Sequence, residues 1–93
     1  MREKSIFKSQ MMFYIHLKVE TSGGLHTRPC AAISRLAKDH DVSCFLVYKD
    51  QKVNVHSILD MLSLCVRQGD EILFELEGEN ADIFIQDVNL VIK

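Results

Sequence analysis

The chain has few residues that break regular structure: one proline and four glycines in 93 residues. That scarcity excludes collagen-like repeats and Pro/Gly-rich disorder. Three cysteines occur, Cys30, Cys44 and Cys65, with wide gaps and no CxxC pair. An odd, scattered set offers neither a disulfide framework nor a structural zinc site, so no metal is expected and free thiols in a reducing compartment are. No apolar run approaches the roughly 20 residues that cross a bilayer. Arg2, Lys4 and Lys8 are not followed by the apolar core of a signal peptide. The expectation is a cytoplasmic protein with no membrane insertion. No charge of one sign dominates: eleven Lys and Arg face thirteen Asp and Glu, a net charge of −2. That excludes a broad basic field for nucleic acid or an anionic membrane, so any phosphate chemistry must rest on a local cluster.

What remains is an ordinary globular composition, 47% apolar and 26% charged, long enough for one domain. Residues 1–11 are weakly patterned and read as a loose N-terminal extension, with Met11 and Met12 offering a later start. The domain is expected over 12–93. Phe13, Ile15, Leu17 and Val19 alternate with Tyr14, His16, Lys18 and Glu20, the period of a half-buried strand. Thr21-Ser22-Gly23-Gly24 breaks it. Pro29 suits a first helical turn, and Ala32, Ile33, Leu36 and Ala37 continue at helical spacing to about His40. Val42–Tyr48 and Lys52–Val55 read as a hairpin around Lys49-Asp50-Gln51. Ser57 opens a short helix with Asp60 three residues on, a loose capping box. Its apolar stripe is Ile58, Met61, Leu62 and Cys65, and it ends at Gln68-Gly69-Asp70. Glu71–Glu77 alternates as a fourth strand. Ile85, Val88 and Ile92 mark the inner face of a last helix. The order β-α-β-β-α-β-α implies an α+β sandwich, one four-stranded, mainly antiparallel sheet covered by three helices on one face. Phe45 and Val47 fall on its far face.

The stretch richest in chemistry is Gly24-Leu25-His26-Thr27-Arg28-Pro29. An imidazole at a helix N-terminus meets unpaired backbone N–H groups and the positive dipole end, a place that binds anions. An arginine two residues on adds a forked donor suited to phosphate oxygens. Glycines let the backbone come close. An imidazole that titrates near ~6.5 keeps a nitrogen free to attack phosphorus at neutral pH. Taken alone, a histidine at this position is more often an inert helix-start residue.

Gly24 to Pro29 resembles the active-site signature of the HPr family, the histidine phosphocarriers of the bacterial sugar phosphotransferase system. Asn54-Val55-His56-Ser57-Ile58-Leu59-Asp60-Met61-Leu62-Ser63-Leu64 resembles that family's second signature, around a regulatory serine. The two motifs stand at the family's spacing, and the match runs without gaps from about Met12 to Lys93. The resemblance implies an open-faced β-sandwich and a carrier without cofactor, not a turning-over enzyme. It implies that His26 takes a phosphoryl group on Nδ1 from phosphorylated Enzyme I and hands it to the A domain of a sugar-specific Enzyme II. Arg28 would contact the phosphoryl group, and Gly24, Thr27 and Pro29 would shape the loop and helix start. Ser57 would be the target of an HPr kinase/phosphorylase. Ile58 and Leu59 would be partner-docking residues, one of them facing out, and a monomer is the expected state.

Four positions depart from the family pattern. Cys30 replaces a small residue, and its thiol, four residues after His26, is expected on the same side, adding sensitivity to oxidation. His56 replaces a basic residue, and Asp60 and Cys65 stand where glycine is common. These changes motivate an alternative reading as a regulatory module, nitrogen-type or part of an incomplete relay, acting by phosphorylation-dependent binding. A His26–Cys30 metal site or Cys–His dyad is the remaining alternative; His16, His40 and His56 show no ligand spacing to support it.

Overall fold

The computed structural model describes residues 12–93. The N-terminal extension expected over 1–11 lies outside them. The elements are β1 (Phe13–Lys18), α1 (Thr27–Asp39), β2 (Ser43–Tyr48), β3 (Gln51–Asn54), α2 (Ile58–Ser63), β4 (Glu71–Glu77) and α3 (Ala81–Ile92). The strands form one sheet in the order β1-β4-β2-β3, with every neighbouring pair antiparallel. This is the α+β sandwich implied by the sequence order.

Alternation sets the register. Cys44, Leu46 and Tyr48 of β2 and Ile72, Phe74 and Leu76 of β4 are buried, and Leu46 lies opposite Phe74. Ile15 of β1 pairs with Phe74 from the other side. A slip of one residue would expose the whole row, so the pairing is strongly specified. The helices close the core with Cys30, Ile33 and Ala37 of α1, Met61 of α2, and Phe84, Val88 and Ile92 of α3. On the far face Phe45 and Val47 are only half-buried. Lys52 covers part of that face. Its Nζ stands 5.0 Å from the centre of the Phe45 ring and 2.8 Å from Glu75 Oε1.

The buried face of α1 is rotated from the one expected. Cys30, Ile33, Ser34 and Ala37 point inward, while Ala32 and Leu36 are half-buried. A serine hid this face, because its hydroxyl needs a partner to be buried; Ser34 finds one by donating to the carbonyl of His56 at 3.3 Å. Likewise Phe84, fully buried, extends the inner face of α3. His40 caps α1 as expected and meets Asp87 of α3 at 3.1 Å.

The second helix is shorter than the sequence suggested. It stops at Ser63, and Cys65 is exposed with φ +57° instead of completing an apolar stripe. A left-handed residue at a helix end releases the chain from the helical path. Cysteine adopts that angle less readily than glycine. The first strand also ends early, at Lys18, although the Val19 N–H still donates to the Asp70 carbonyl at 2.8 Å in line with the register.

Candidate functional site

The loop before α1 is built on two left-handed glycines, Gly23 at φ +86° and Gly24 at φ +67°. Gly24 is buried against a second loop. A Cβ there would overlap the carbonyl oxygen of Val66 and come within 2.9 Å of Arg67 Cα. The close approach lets the Leu25 N–H donate to the Val66 carbonyl at 3.1 Å. The Leu25 side chain is buried below, and His26 emerges exposed as the N-cap of α1, with extended backbone at φ −88° and ψ −169°.

No side chain caps this helix. Cys30 N–H closes the first turn on the His26 carbonyl at 3.2 Å. Pro29 has no N–H, so the amides of Thr27 and Arg28 are the donors left free at the helix start. The imidazole is oriented by its neighbour: a Cβ at Gly23 would lie 3.0 Å from His26 Cδ2 and 3.6 Å from Nε2. The Cδ2–Nε2 edge therefore rests over Gly23, and Nδ1 is on the ring edge turned away from it. Thr27 and Arg28 are exposed, and Arg28 makes no ion pair among the described residues. The helix start thus carries an open imidazole and, two residues on, an exposed arginine, a combination suited to anions.

A family model, the PTS HPr component phosphorylation site, matches residues 15–93. The chain belongs to the HPr family. It is 31% identical over 80 residues to the phosphocarrier protein HPr of Buchnera aphidicola (strain APS), covering 86% of this chain and 94% of that protein. Among solved structures it is similar to an HPr from Bacillus anthracis, with a TM-score of 0.81 at 24% identity over 90% of this chain and all of that one. It also matches an HPr from Thermoanaerobacter tengcongensis, with a TM-score of 0.77 at 26% identity over 86% of this chain and 90% of that one. The first structural likeness concerns the fold; the sequence matches carry the membership.

Within this HPr fold, Cys30 does not share the surface of His26. It is fully buried and its thiol donates to the Leu25 carbonyl at 3.6 Å. Burial pushes the thiol up to about 11, so it is neutral at pH 7. The expected oxidation sensitivity is corrected by this placement, and a neutral, enclosed thiol makes a poor nucleophile. Among the described residues no cluster of three His, Cys, Asp or Glu side chains stands ready for a metal.

Ser57 is the N-cap of α2, its Oγ accepting from the Asp60 N–H at 3.2 Å. Of the two docking candidates, Leu59 is 77% exposed and Ile58 is half-buried against the core. Leu62, read from the sequence as an inner residue, is half-buried and lines one open depression with Gly23, His26, Cys65 and Arg67. Sequence reasoning missed Leu62 and Arg67 as neighbours of His26. Leu62 had a signal, lying one helical turn after Leu59; the position of Arg67 depends on the tertiary contact at Gly24.

Proposed function

We propose that this HPr-family protein carries a phosphoryl group on His26 Nδ1 between phosphorylated Enzyme I and the A domain of a sugar-specific Enzyme II. The observation that carries this reading is the exposed imidazole at the start of α1, with its Cδ2–Nε2 edge over Gly23 and with Arg28, two residues on, exposed and without an ion pair among the described residues. In the accepting step the Nδ1 lone pair forms the bond to phosphorus while the bond from phosphorus to the donor group breaks, and the donor keeps that electron pair. Delivery to the next acceptor reverses the roles.

The surroundings suit a carrier. A charge pair at 4 Å is worth about 1 kcal/mol in water and about 4 kcal/mol at an effective dielectric of 20. Arg28 and the free amides of Thr27 and Arg28 thus steady a phosphoryl group without trapping it, because the site is open to water. The chain supplies no cofactor chemistry in this scheme and works as a monomer in the cytoplasm. Leu59, with Ile58 behind it, is a docking contact of the kind that partner proteins cover.

The Ser57 switch has less support. A phosphate there would replace the hydroxyl that caps α2, and it would stand in the same first turn as the Asp60 carboxylate. Like charges in one turn oppose modification.

Incubation with labelled phosphoenolpyruvate and the host's Enzyme I should give an acid-labile, base-stable label that His26→Ala abolishes. Label retained in His26→Ala overturns the assignment of the acceptor. No label on the folded wild-type protein overturns the carrier reading in favour of a regulatory module.

A further inference from the structure

The depression that holds His26 is lined by an arginine other than Arg28, and the backbone of that arginine is tied down by packing and hydrogen bonds. Arg67 lies on the loop between α2 and β4. Its backbone packs against Gly24, two residues before His26, and the adjacent Val66 carbonyl accepts the Leu25 N–H. Its own N–H donates to Asp70 Oδ2 at 3.0 Å, and the same oxygen accepts from the Tyr48 hydroxyl at 2.5 Å. The loop is further tied to the end of β1, where the Gly69 N–H donates to the Val19 carbonyl at 2.6 Å and the Val19 N–H to the Asp70 carbonyl at 2.8 Å. Asp70 is therefore engaged by a hydroxyl and a backbone amide. The Arg67 guanidinium is exposed and makes no ion pair among the described residues.

An exposed arginine on a mobile loop would be a solvated charge with nothing to do. This one is anchored at its backbone, lines the same depression as the imidazole, and makes no ion pair among the described residues, although its charge also acts on the nearby Asp70 carboxylate. We infer that Arg67 is a second phosphoryl-contacting residue, reaching the oxygens of the group carried by His26 from the loop between α2 and β4. Its forked, permanently charged head suits phosphoryl oxygens. Tyr48 and Asp70 are positioning residues, acting through the backbone of Arg67. This inference rests on the carrier reading for its biological setting, but it concerns the phosphorylated imidazole itself.

Phosphoramidate tests it without Enzyme I. Attack of a histidine nitrogen on phosphorus forms the new P–N bond, and ammonia leaves with the electrons of the old one. The wild type, Arg67→Gln and Arg67→Lys are each phosphorylated in this way, and the 31P resonance of phospho-His26 is followed through a pH titration. Arg67→Gln is expected to displace the resonance and raise the pH at which the phosphoryl group takes up its proton, with Arg67→Lys restoring most of the wild-type curve. In a second measurement, the equilibrium for transfer from phosphorylated Enzyme I should fall about three- to tenfold in Arg67→Gln, the size of one partly screened charge contact. Amide spectra of the unphosphorylated variants serve as the folding check. Superimposable 31P titrations for wild type and Arg67→Gln would overturn the role of Arg67, as would failure of phosphoramidate to label His26. A wild type that phosphoramidate charges but Enzyme I does not defeats the carrier reading alone, and the 31P comparison still decides on Arg67.

Discussion

At the scale of single residues, the site depends on what two glycines leave out. Gly24 admits the Val66–Arg67 backbone, and Gly23 admits one edge of the His26 ring. Alanine at the two positions should fail in different ways. Gly24→Ala combines a strained left-handed angle with overlap against backbone, and is expected to cost about 2–4 kcal/mol in chemical denaturation. Gly23→Ala meets only the edge of a side chain, so its stability cost should stay near 1–2 kcal/mol, roughly the strain of its angle alone. The imidazole must shift to make room, however, and phosphorylation by Enzyme I should slow markedly. Equal kinetics for Gly23→Ala and wild type would contradict this account of ring orientation. His26 and Arg28 were legible in the sequence because the features that place them are contiguous: the glycine pair, the histidine, the arginine and the proline lie within one loop and one helical turn. Arg67 was not, since it reaches the site only through the contact of its backbone with Gly24. The burial of Cys30 was hidden by the choice of face on α1, which a buried serine had disguised.

At the scale of elements, α2 separates its cap from the docking contact proposed for it. Ser57 holds the helix start through its hydroxyl, whereas Leu59 projects into solvent. Ser57→Ala should lower stability by about 1 kcal/mol, and Ser57→Asp, which keeps an acceptor at the cap, should lose much less. Leu59→Ala should leave stability within about 0.5 kcal/mol of wild type. The same change should raise the KM for Enzyme I about three- to tenfold, as loss of an interface anchor does. A Leu59 variant with unaltered transfer kinetics would remove it from the docking surface. Alternation and helical spacing made every element of the described domain visible from the sequence, and the sheet followed from their order. The end of α2 did not, because Cys65 looks apolar and helical by spacing. Its left-handed backbone is imposed by the loop that must return toward β4 and Gly24.

At the scale of the whole molecule, the loop from Val66 to Asp70 ties the layers together: it meets the start of α1 through Leu25, the end of β1 through Val19, and β2 through Tyr48. The Tyr48 hydroxyl, and then the Arg67 N–H, hold the Asp70 carboxyl below the usual carboxylate range, and the same bond to Asp70 raises Tyr48. A depressed acid favours the folded state at pH above its unfolded value of about 3.9, and that contribution is lost as pH falls through the lower folded value. The raised tyrosine contributes fully below about pH 10 and loses its contribution above it. Asp70→Asn should therefore be less stable than wild type at neutral pH, with the gap narrowing as pH is lowered below about 4. Tyr48→Phe together with Asp70→Asn should cost less than the sum of the two single changes, since both remove one bond. A gap that stays constant down to pH 2 would contradict the link.

A carrier holds the group on His26 only to pass it on, and a single-turnover chase separates this from a dead-end phosphohistidine. The protein is charged with labelled phosphate from phosphoenolpyruvate and Enzyme I, separated from both, and mixed with the A domains of the host's Enzymes II. Label is expected to leave His26 and appear on at least one A domain far faster than it is lost to water. Label that stays on His26 until it hydrolyses, with every A domain competent in a control relay, would contradict it.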